Sequence, residues 1–77
     1  MGKKEGFGTQ YYENGKHCYS GDWKLGKYSG SGKEFDLHGE LNYEGTWLRG
    51  KRHGHGKLFK DGICCFEGDW KHGELVI

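Results

Sequence analysis

Histidine, cysteine and carboxylate side chains are the groups in this chain that could catalyse a reaction or bind a metal. The sequence has five histidines, three cysteines and 11 acidic residues. Their spacing matches no nucleophile, zinc-protease or nucleotide-binding motif, and Gly32 and Lys33 are followed by Glu34 instead of Ser or Thr. Cys64 and Cys65 are adjacent, so in a strand they point to opposite faces and cannot hold one ion together. We therefore expect no enzyme activity, metal site, cofactor or small-molecule substrate.

Basic side chains form the second group with a recognisable chemistry, because cations bind phosphate and carboxylate groups. They cluster in the glycine-rich segments that follow the tryptophans, most densely in RGKRH at 49–53. Such a row could contact anionic lipid headgroups or an acidic peptide, or could simply keep the surface solvated. The net charge of only +1 argues against a nucleic-acid partner. This basic rim comprises Lys24, Lys27, Arg49, Lys51, Arg52, His53, Lys57 and Lys71.

Aromatic rings form the third group, and they recur with glycine and tryptophan at a fixed spacing. The segments YSGDW at 19–23, YEGTW at 43–47 and FEGDW at 66–70 align with one another. Gly8, Gly32 and Gly56 stand 24 residues apart in the same repeat. Self-similarity of this kind is the signature of a repeat protein, in which neighbouring units share one core. We interpret the chain as a single domain over 1–77, with units of about 6–29, 30–53 and 54–76.

Each unit has the pattern of two short β-strands. In HCYSGDW, NYEGTW and CFEGDW, aromatic residues alternate with polar ones, which is the pattern of a half-buried strand. The pairs Asn-Gly and Asp-Gly between the halves are typical of hairpin turns, because both residues tolerate positive φ. Helical periodicity is absent from the sequence. The sequence therefore predicts an all-β fold, a single antiparallel sheet with about six short strands in an up-and-down meander of three stacked β-hairpins.

One face of this sheet is expected to carry the rings. Within each repeat the first ring and the tryptophan point to the same side, and the glycine between them leaves a slot. We expect rings of neighbouring strands, from Tyr11, Phe35 and Phe59, to fill these slots. The rings would form the core, and because a single layer leaves this face within reach, they are also a candidate surface for a partner. This predicted aromatic face comprises Tyr11, Tyr19, Trp23, Phe35, Tyr43, Trp47, Phe59, Phe66 and Trp70.

The segment YEGTWLRGKRHGHG at 43–56 resembles the repeat of the MORN family, the membrane occupation and recognition nexus repeats. FEGDWKHG at 66–73 is similar to the first half of that repeat, and YSGDWKLGKYSGSG at 19–32 departs from it by Ser for Glu and by Tyr-Ser for Arg-His. The resemblance covers nearly the whole chain in about three repeats. It implies an elongated, twisted antiparallel sheet of stacked hairpins, and a scaffold or binding module in place of a catalyst.

Two functions remain open at this point. The first is a protein-interaction module that binds a partner through its aromatic face and sheet edges, or associates with a second copy as a homodimer. The alternative is a membrane-surface module whose basic rim binds anionic phospholipid headgroups. The odd number of cysteines suggests reduced thiols and a cytoplasmic location, with a peripheral position at a membrane in the second case. The chain has no apolar run long enough to span a bilayer and no secretory signal pattern.

Overall fold

The computed structural model describes residues 3–76, which form one open antiparallel sheet. The strands follow one another in the sheet in the order of the sequence, which confirms the predicted all-β meander. Seven strands are present instead of about six, because two residues beyond the third hairpin add a short β7. The strands are β1 (Gly6–Tyr11), β2 (His17–Lys24), β3 (Lys27–Phe35), β4 (Leu41–Leu48), β5 (Lys51–Lys60), β6 (Ile63–Lys71) and β7 (Glu74–Leu75).

Two-residue turns connect β2 to β3, β4 to β5, β5 to β6 and β6 to β7. Both turn residues have positive φ, as in Leu25 at 52° and Gly26 at 79°, which is the type I′ geometry that matches the twist of a hairpin. Three of these turns lie along one long edge of the sheet. The amide of Gly26 donates a hydrogen bond to the Lys4 carbonyl, and the amide of Gly50 donates to the Tyr28 carbonyl. The β2–β3 turn is thereby attached to the segment just before β1, and the β4–β5 turn to β3.

The core is a single row of rings on one face of the sheet, which we call the aromatic face. Its buried members are Tyr19, Trp23, Tyr43, Trp47 and Trp70, and Tyr28 and Leu58 pack against them. Neighbouring rings meet edge to face, with centroids 5.1–5.5 Å apart. The described part of the chain is only 15 Å thick along its shortest axis. The sheet therefore buries its rings without a second layer.

The glycines make this one-sided core possible, but by a different contact from the predicted one. A Cβ built on Gly32 would lie 2.4 Å from Cζ of Tyr19, and one on Gly56 would lie 2.4 Å from Cζ of Tyr43. Each tyrosine of an even-numbered strand thus lies flat across the glycine of the next strand. The slot is filled by the first ring of the repeat itself.

The structure also corrects the placement of Tyr11, Phe35 and Phe59. Their preceding residues, Gln10, Glu34 and Leu58, pair with Tyr19, Tyr43 and Phe66 and so share the aromatic face. Side chains alternate along a strand, so these three rings point to the opposite face, which we call the polar face. On that side the His17 ring lies 5.0 Å from the Tyr11 ring and 5.6 Å from the Phe35 ring.

Candidate interaction surfaces

The polar atoms of the aromatic face are largely used within the sheet. The Tyr19 hydroxyl donates to the Asp22 carbonyl at 2.8 Å. The indole N–H of Trp23 donates to the Gly8 carbonyl at 3.0 Å, and that of Trp47 to the Gly32 carbonyl at 3.1 Å. Burial, followed by the charge of Asp22, raises the pKa of Tyr19 to about 12. These groups are therefore core, with few donors or acceptors left for a ligand.

The exposed ring of the aromatic face is Phe66, which stands at the C-terminal end of the ring row. Its side chain lies across Gly68 of its own strand in the way that Tyr43 lies across Gly45. The exposed fraction of Phe66 is 36%, whereas Tyr19 and Tyr43 are fully buried. Among the rings that begin the three repeats, Phe66 is thus the one that a partner can reach.

Arg52 belongs to the basic rim by sequence, but its side chain lies on the aromatic face. Its guanidinium carbon is 4.7 Å from the centre of the Tyr43 ring and 5.1 Å from that of Trp70. Its Nη2 donates to Oε1 of Glu34 at 2.6 Å. Stacking and a charge-assisted hydrogen bond both orient Arg52 inwards, so it is unavailable to an external anion.

Tyr28 occupies the position of Arg52 one repeat earlier, and the sequence reasoning missed it. Its ring stacks on Tyr19 with centroids 3.8 Å apart, and its hydroxyl donates to Gln10 at 2.6 Å. Burial, with a smaller effect of the Cys18 thiol, raises the pKa of Tyr28. Tyr28 lies an even number of residues before Gly32, and this parity is the signal in the sequence that places it on the aromatic face.

Three residues of the basic rim line one cleft at the turns after β2 and β4. Lys24, Lys27 and Arg49 surround a cleft of about 480 Å³ together with Lys3 and apolar side chains that include Leu48. Lys24 and Lys27 are directly opposite each other in the strand register. Like charges in that position repel, and within residues 3–76 none of the four cations has a salt bridge. An anion in this cleft would relieve the repulsion.

The remaining members of the basic rim are more dispersed. Lys51 and Lys71 line a second cleft at the β6–β7 turn, where Glu74 adds a negative charge. The Nδ1 atom of His53 accepts a hydrogen bond from the backbone amide of His72 at 3.2 Å. The last member, Lys57, lies on the polar face in the middle of β5, in register with Glu44 and Glu67. The eight residues therefore form one cleft whose charged lining residues are all basic, and several separate contacts, instead of a continuous row.

The polar face contains a shallow groove that the sequence reasoning did not predict. Its volume is about 380 Å³, and small residues form its floor. The Phe7 ring borders the groove and is 75% exposed. Lys33 and Glu44 border it as well, with Nζ and Oε2 3.9 Å apart. The lining residues are Phe7, Ser20, Gly21, Ser31, Gly32, Lys33, Glu44, Gly45 and Thr46.

A histidine with two carboxylates lies beside this groove, on β5 and β6. Nε2 of His55 is 2.7 Å from Oε2 of Glu67, and Nδ1 is 3.5 Å from Oδ1 of Asp69. The hydrogen bond to Glu67 raises the pKa of His55, and the same contact lowers the pKa of Glu67. Across residues 3–76, His, Cys, Asp and Glu form no group of three that could hold a metal ion. This cluster is an exposed ion pair between neighbouring strands.

The strands that carry these surfaces match the repeat of a known family. The MORN repeat matches residues 1–17, 19–35, 43–64 and 66–76, which together cover nearly the whole chain. The chain belongs to the MORN repeat family. No curated protein matches it. The MORN repeat is a non-catalytic repeat family, and membership suggests a repeat module of a binding or scaffold type.

The matched MORN segments coincide with the ring-and-glycine contact. The segments 19–35 and 43–64 each contain a buried tyrosine and the glycine that its ring covers. The segment 1–17 contains Gly8 but no tyrosine on a strand before it. The segment 66–76 contains Phe66 but no equivalent glycine on a strand after β6. The MORN unit is therefore an even-numbered strand together with the odd-numbered strand after it. Within residues 3–76, no helix of these MORN repeats is long and apolar enough to cross a membrane.

Proposed function

We propose that this MORN repeat module is a non-catalytic scaffold that binds an extended segment of a partner protein in the groove of its polar face. One observation carries the proposal. The aromatic face is closed by its own packing, whereas the polar face has an open groove with a floor of glycine, serine and threonine. A surface with small side chains lets the backbone of a bound segment approach closely.

The groove offers three kinds of contact to such a segment. The exposed Phe7 ring provides an apolar anchor at one end, and aromatic anchors dominate many protein interfaces. The Ser31 hydroxyl supplies a hydrogen-bonding group, and the Thr46 hydroxyl, which donates to the carbonyls of His53 and His55, can still accept. Lys33 and Glu44 add one charge of each sign, which would orient the bound segment. We expect a ligand with an apolar residue and mixed charges.

A displayed library of random peptides tests the proposal without knowledge of the natural partner. Peptides selected on the wild-type chain should bind Ser31→Arg at least about tenfold more weakly, because the long side chain fills the groove. The matched control is Ile63→Arg, which adds the same charge at an exposed position outside the groove. Melting curves establish that both variants are folded.

Chemical-shift mapping adds a second criterion. Bound peptide should perturb the amides of Ser20, Ser31 and Thr46 more strongly than those of the aromatic face. Equal affinity of the selected peptides for Ser31→Arg and the wild type would refute the groove as the binding site. Perturbations centred on Phe66 would instead favour the aromatic end of the sheet.

A second candidate function is binding of an anionic membrane surface through the basic cleft. The cross-strand pair of Lys24 and Lys27, with Arg49 beside it, favours this candidate because an anion would offset their repulsion. Wild-type protein should co-sediment with phosphatidylserine-containing vesicles at low salt and be released by raised salt. Joint replacement of the three residues by Gln should abolish binding.

The control for this assay carries the same change in net charge outside the cleft. Lys16, Lys57 and Lys60 replaced together by Gln should still bind the anionic vesicles. If both triple variants lose binding equally, attraction by overall charge explains the result and the cleft is not a site. If the wild-type chain does not co-sediment with anionic vesicles at low salt, this candidate function is eliminated, and so is the peripheral membrane location.

A further inference from the structure

The contact that holds the sheet together has two different halves. An even-numbered strand supplies a ring, and the following odd-numbered strand supplies a glycine beneath it. Tyr19 covers Gly32 in this way, and Tyr43 covers Gly56. The backbones are in register at the same place, with Gly21 opposite Gly32. This ring-on-glycine contact occurs twice within the sheet.

The C-terminal edge presents the first half of this contact without the second. β6 carries Phe66 and Gly68 at the positions of Tyr43 and Gly45. β7 pairs with β6 only at Trp70 and Lys71, so within residues 3–76 no strand lies beyond Phe66. The Phe66 ring is already oriented across Gly68, 2.8 Å from a Cβ built there. Within residues 3–76, the Phe66 ring is therefore already in position at this edge, and no glycine of a following strand lies beneath it.

The N-terminal edge presents the second half. β1 carries Gly8 at the position of Gly32 and Gly56, and it pairs with β2 through Gly21 as those glycines pair with the strands after them. The atoms nearest to a Cβ built on Gly8 belong to the side chains of Trp23 and Lys4, at 3.2 Å or more. Within residues 3–76, the Trp23 indole borders Gly8, but no tyrosine or phenylalanine ring lies across it and no strand precedes β1.

We propose that copies of this chain associate head to tail, with β6 of one copy pairing antiparallel to β1 of the next. The Phe66 ring would then cover Gly8 of the second copy. The register follows from the β4–β5 pair, where Tyr43 lies opposite Leu58 and Gly45 opposite Gly56. It places Phe66 opposite Gln10, and Gly68 opposite Gly8, of the second copy. The new interface repeats the internal one and extends the sheet.

The same geometry disfavours a closed two-fold dimer formed by strand pairing. Two β1 edges would bring together two open glycines, and two β6 edges paired at Gly68 would set Phe66 of each copy opposite the bulky Trp70 of the other, where the internal pairs have Glu34 or Leu58. The head-to-tail arrangement requires β7 to detach from β6. The segment before Gly6 of the second copy would pair beside Trp70, where β7 lies in the single chain. β7 has only two residues, so its displacement loses little pairing. Head-to-tail contacts leave one free edge at each end, so assembly continues beyond two chains.

Light scattering coupled to size exclusion, over a concentration series of the 77-residue chain, tests this association. We expect the mass to rise progressively with concentration, past that of two chains. Phe66→Asp should weaken association at least about tenfold, because it removes the apolar ring and adds a charge. Phe66→Tyr should preserve it, because tyrosine fills this position in the internal contacts. The control Leu37→Asp makes the same kind of change at an exposed apolar residue far from both edges and should have no effect.

A charge pair at one position tests the register. In the proposed arrangement Thr9 lies opposite Glu67 of the preceding copy, as Lys57 lies opposite Glu44 within the sheet. Thr9→Lys should therefore strengthen association and Thr9→Glu should weaken it, with a difference that shrinks in high salt. Both variants lose the same contact between the Thr9 and Ser20 hydroxyls, so they are matched for folding.

Three results would overturn the proposal. The first is a mass that stays at that of one chain into the high-micromolar range. The second is a species that stops at two chains, which would indicate a two-fold dimer. The third is self-association that survives Phe66→Asp and does not distinguish the two Thr9 variants. Peptide binding in the groove is measured separately at low concentration, so failure of one proposal leaves the other intact.

Discussion

Replacing Gly56 with alanine tests the contact on which the core depends. The added methyl group would lie 2.1 Å from the hydroxyl oxygen and 2.4 Å from Cζ of Tyr43, well inside any tolerable distance. Tyr43 is fully buried and packs edge to face against Trp47 and Trp70. The ring cannot move aside without disturbing both indoles, so the backbone or the whole ring row must shift.

The expected cost follows from overpacking of a tight core, which is about 1–3 kcal/mol. A loss of about 2 kcal/mol in the free energy of unfolding would lower the Tm of a domain of this size by roughly 8–16 °C. Gly8→Ala is the matched control, since Gly8 holds the same repeat position and the atoms nearest to an added methyl group, from Trp23 and Lys4, lie at 3.2 Å or more. Alanine there also reduces the entropy of the unfolded chain, so we expect stability within about 1 kcal/mol of wild type.

Thermal unfolding followed by tryptophan fluorescence measures both variants in dilute solution, where association is suppressed. We expect a large drop in Tm for Gly56→Ala and a small change for Gly8→Ala. Melting temperatures for the two variants within about 2 °C of each other would refute the ring-on-glycine contact as the source of core stability.

Three further predictions concern individual side chains. Arg52→Lys should lower the free energy of unfolding by about 1–2 kcal/mol in urea titrations, because lysine cannot both stack on Tyr43 and form the forked bond to Glu34; unchanged stability would contradict this. Glu67→Gln should lower the pKa of His55 measured by NMR, since the carboxylate raises it. The pair stabilises the fold below the ordinary histidine pKa of about 6.5, and this contribution is lost as the pH rises through the raised value. An unaltered His55 titration would show that the ion pair does not form. In a spectrophotometric titration, the difference between wild type and Tyr19→Phe should show a tyrosinate forming near pH 12. Burial favours the neutral phenol, so its stabilisation is present below about pH 10 and lost as the pH rises further, and ionisation of Tyr19 near pH 10 would contradict its burial.

The repeat was the feature of the sequence that made the fold predictable. Alternation in YSGDW, YEGTW and FEGDW indicated strands, and the Asp-Gly pair indicated a turn that the structure contains at Asp61 and Gly62. Both signals are local, since side-chain alternation and turn chemistry depend on neighbouring residues. The order of the strands followed because short turns can only join neighbours in an antiparallel sheet.

The candidate surfaces were less predictable, because they depend on which strand positions lie opposite each other. Tyr11, Phe35 and Phe59 recur at fixed places in the repeat, but the register puts them on the polar face. Each bulge adds one residue to the partner strand, such as Cys18 between the partners of Gln10 and Tyr11. The residue pattern within a single strand therefore does not show which face these rings occupy.

The sequence by itself determined the repeat, the family, the all-β class and the identity of the rings, since each of these is written in the order and spacing of residues. Only the tertiary structure decided that each tyrosine covers a glycine of the next strand, that Arg52 turns inwards to Glu34, and that the polar face has a groove. It also revealed that, within residues 3–76, Phe66 covers no glycine of a following strand and no tyrosine or phenylalanine ring covers Gly8. These are relations between residues that the chain brings together across strands, and strand register, unlike strand periodicity, is fixed by the packing of the whole sheet.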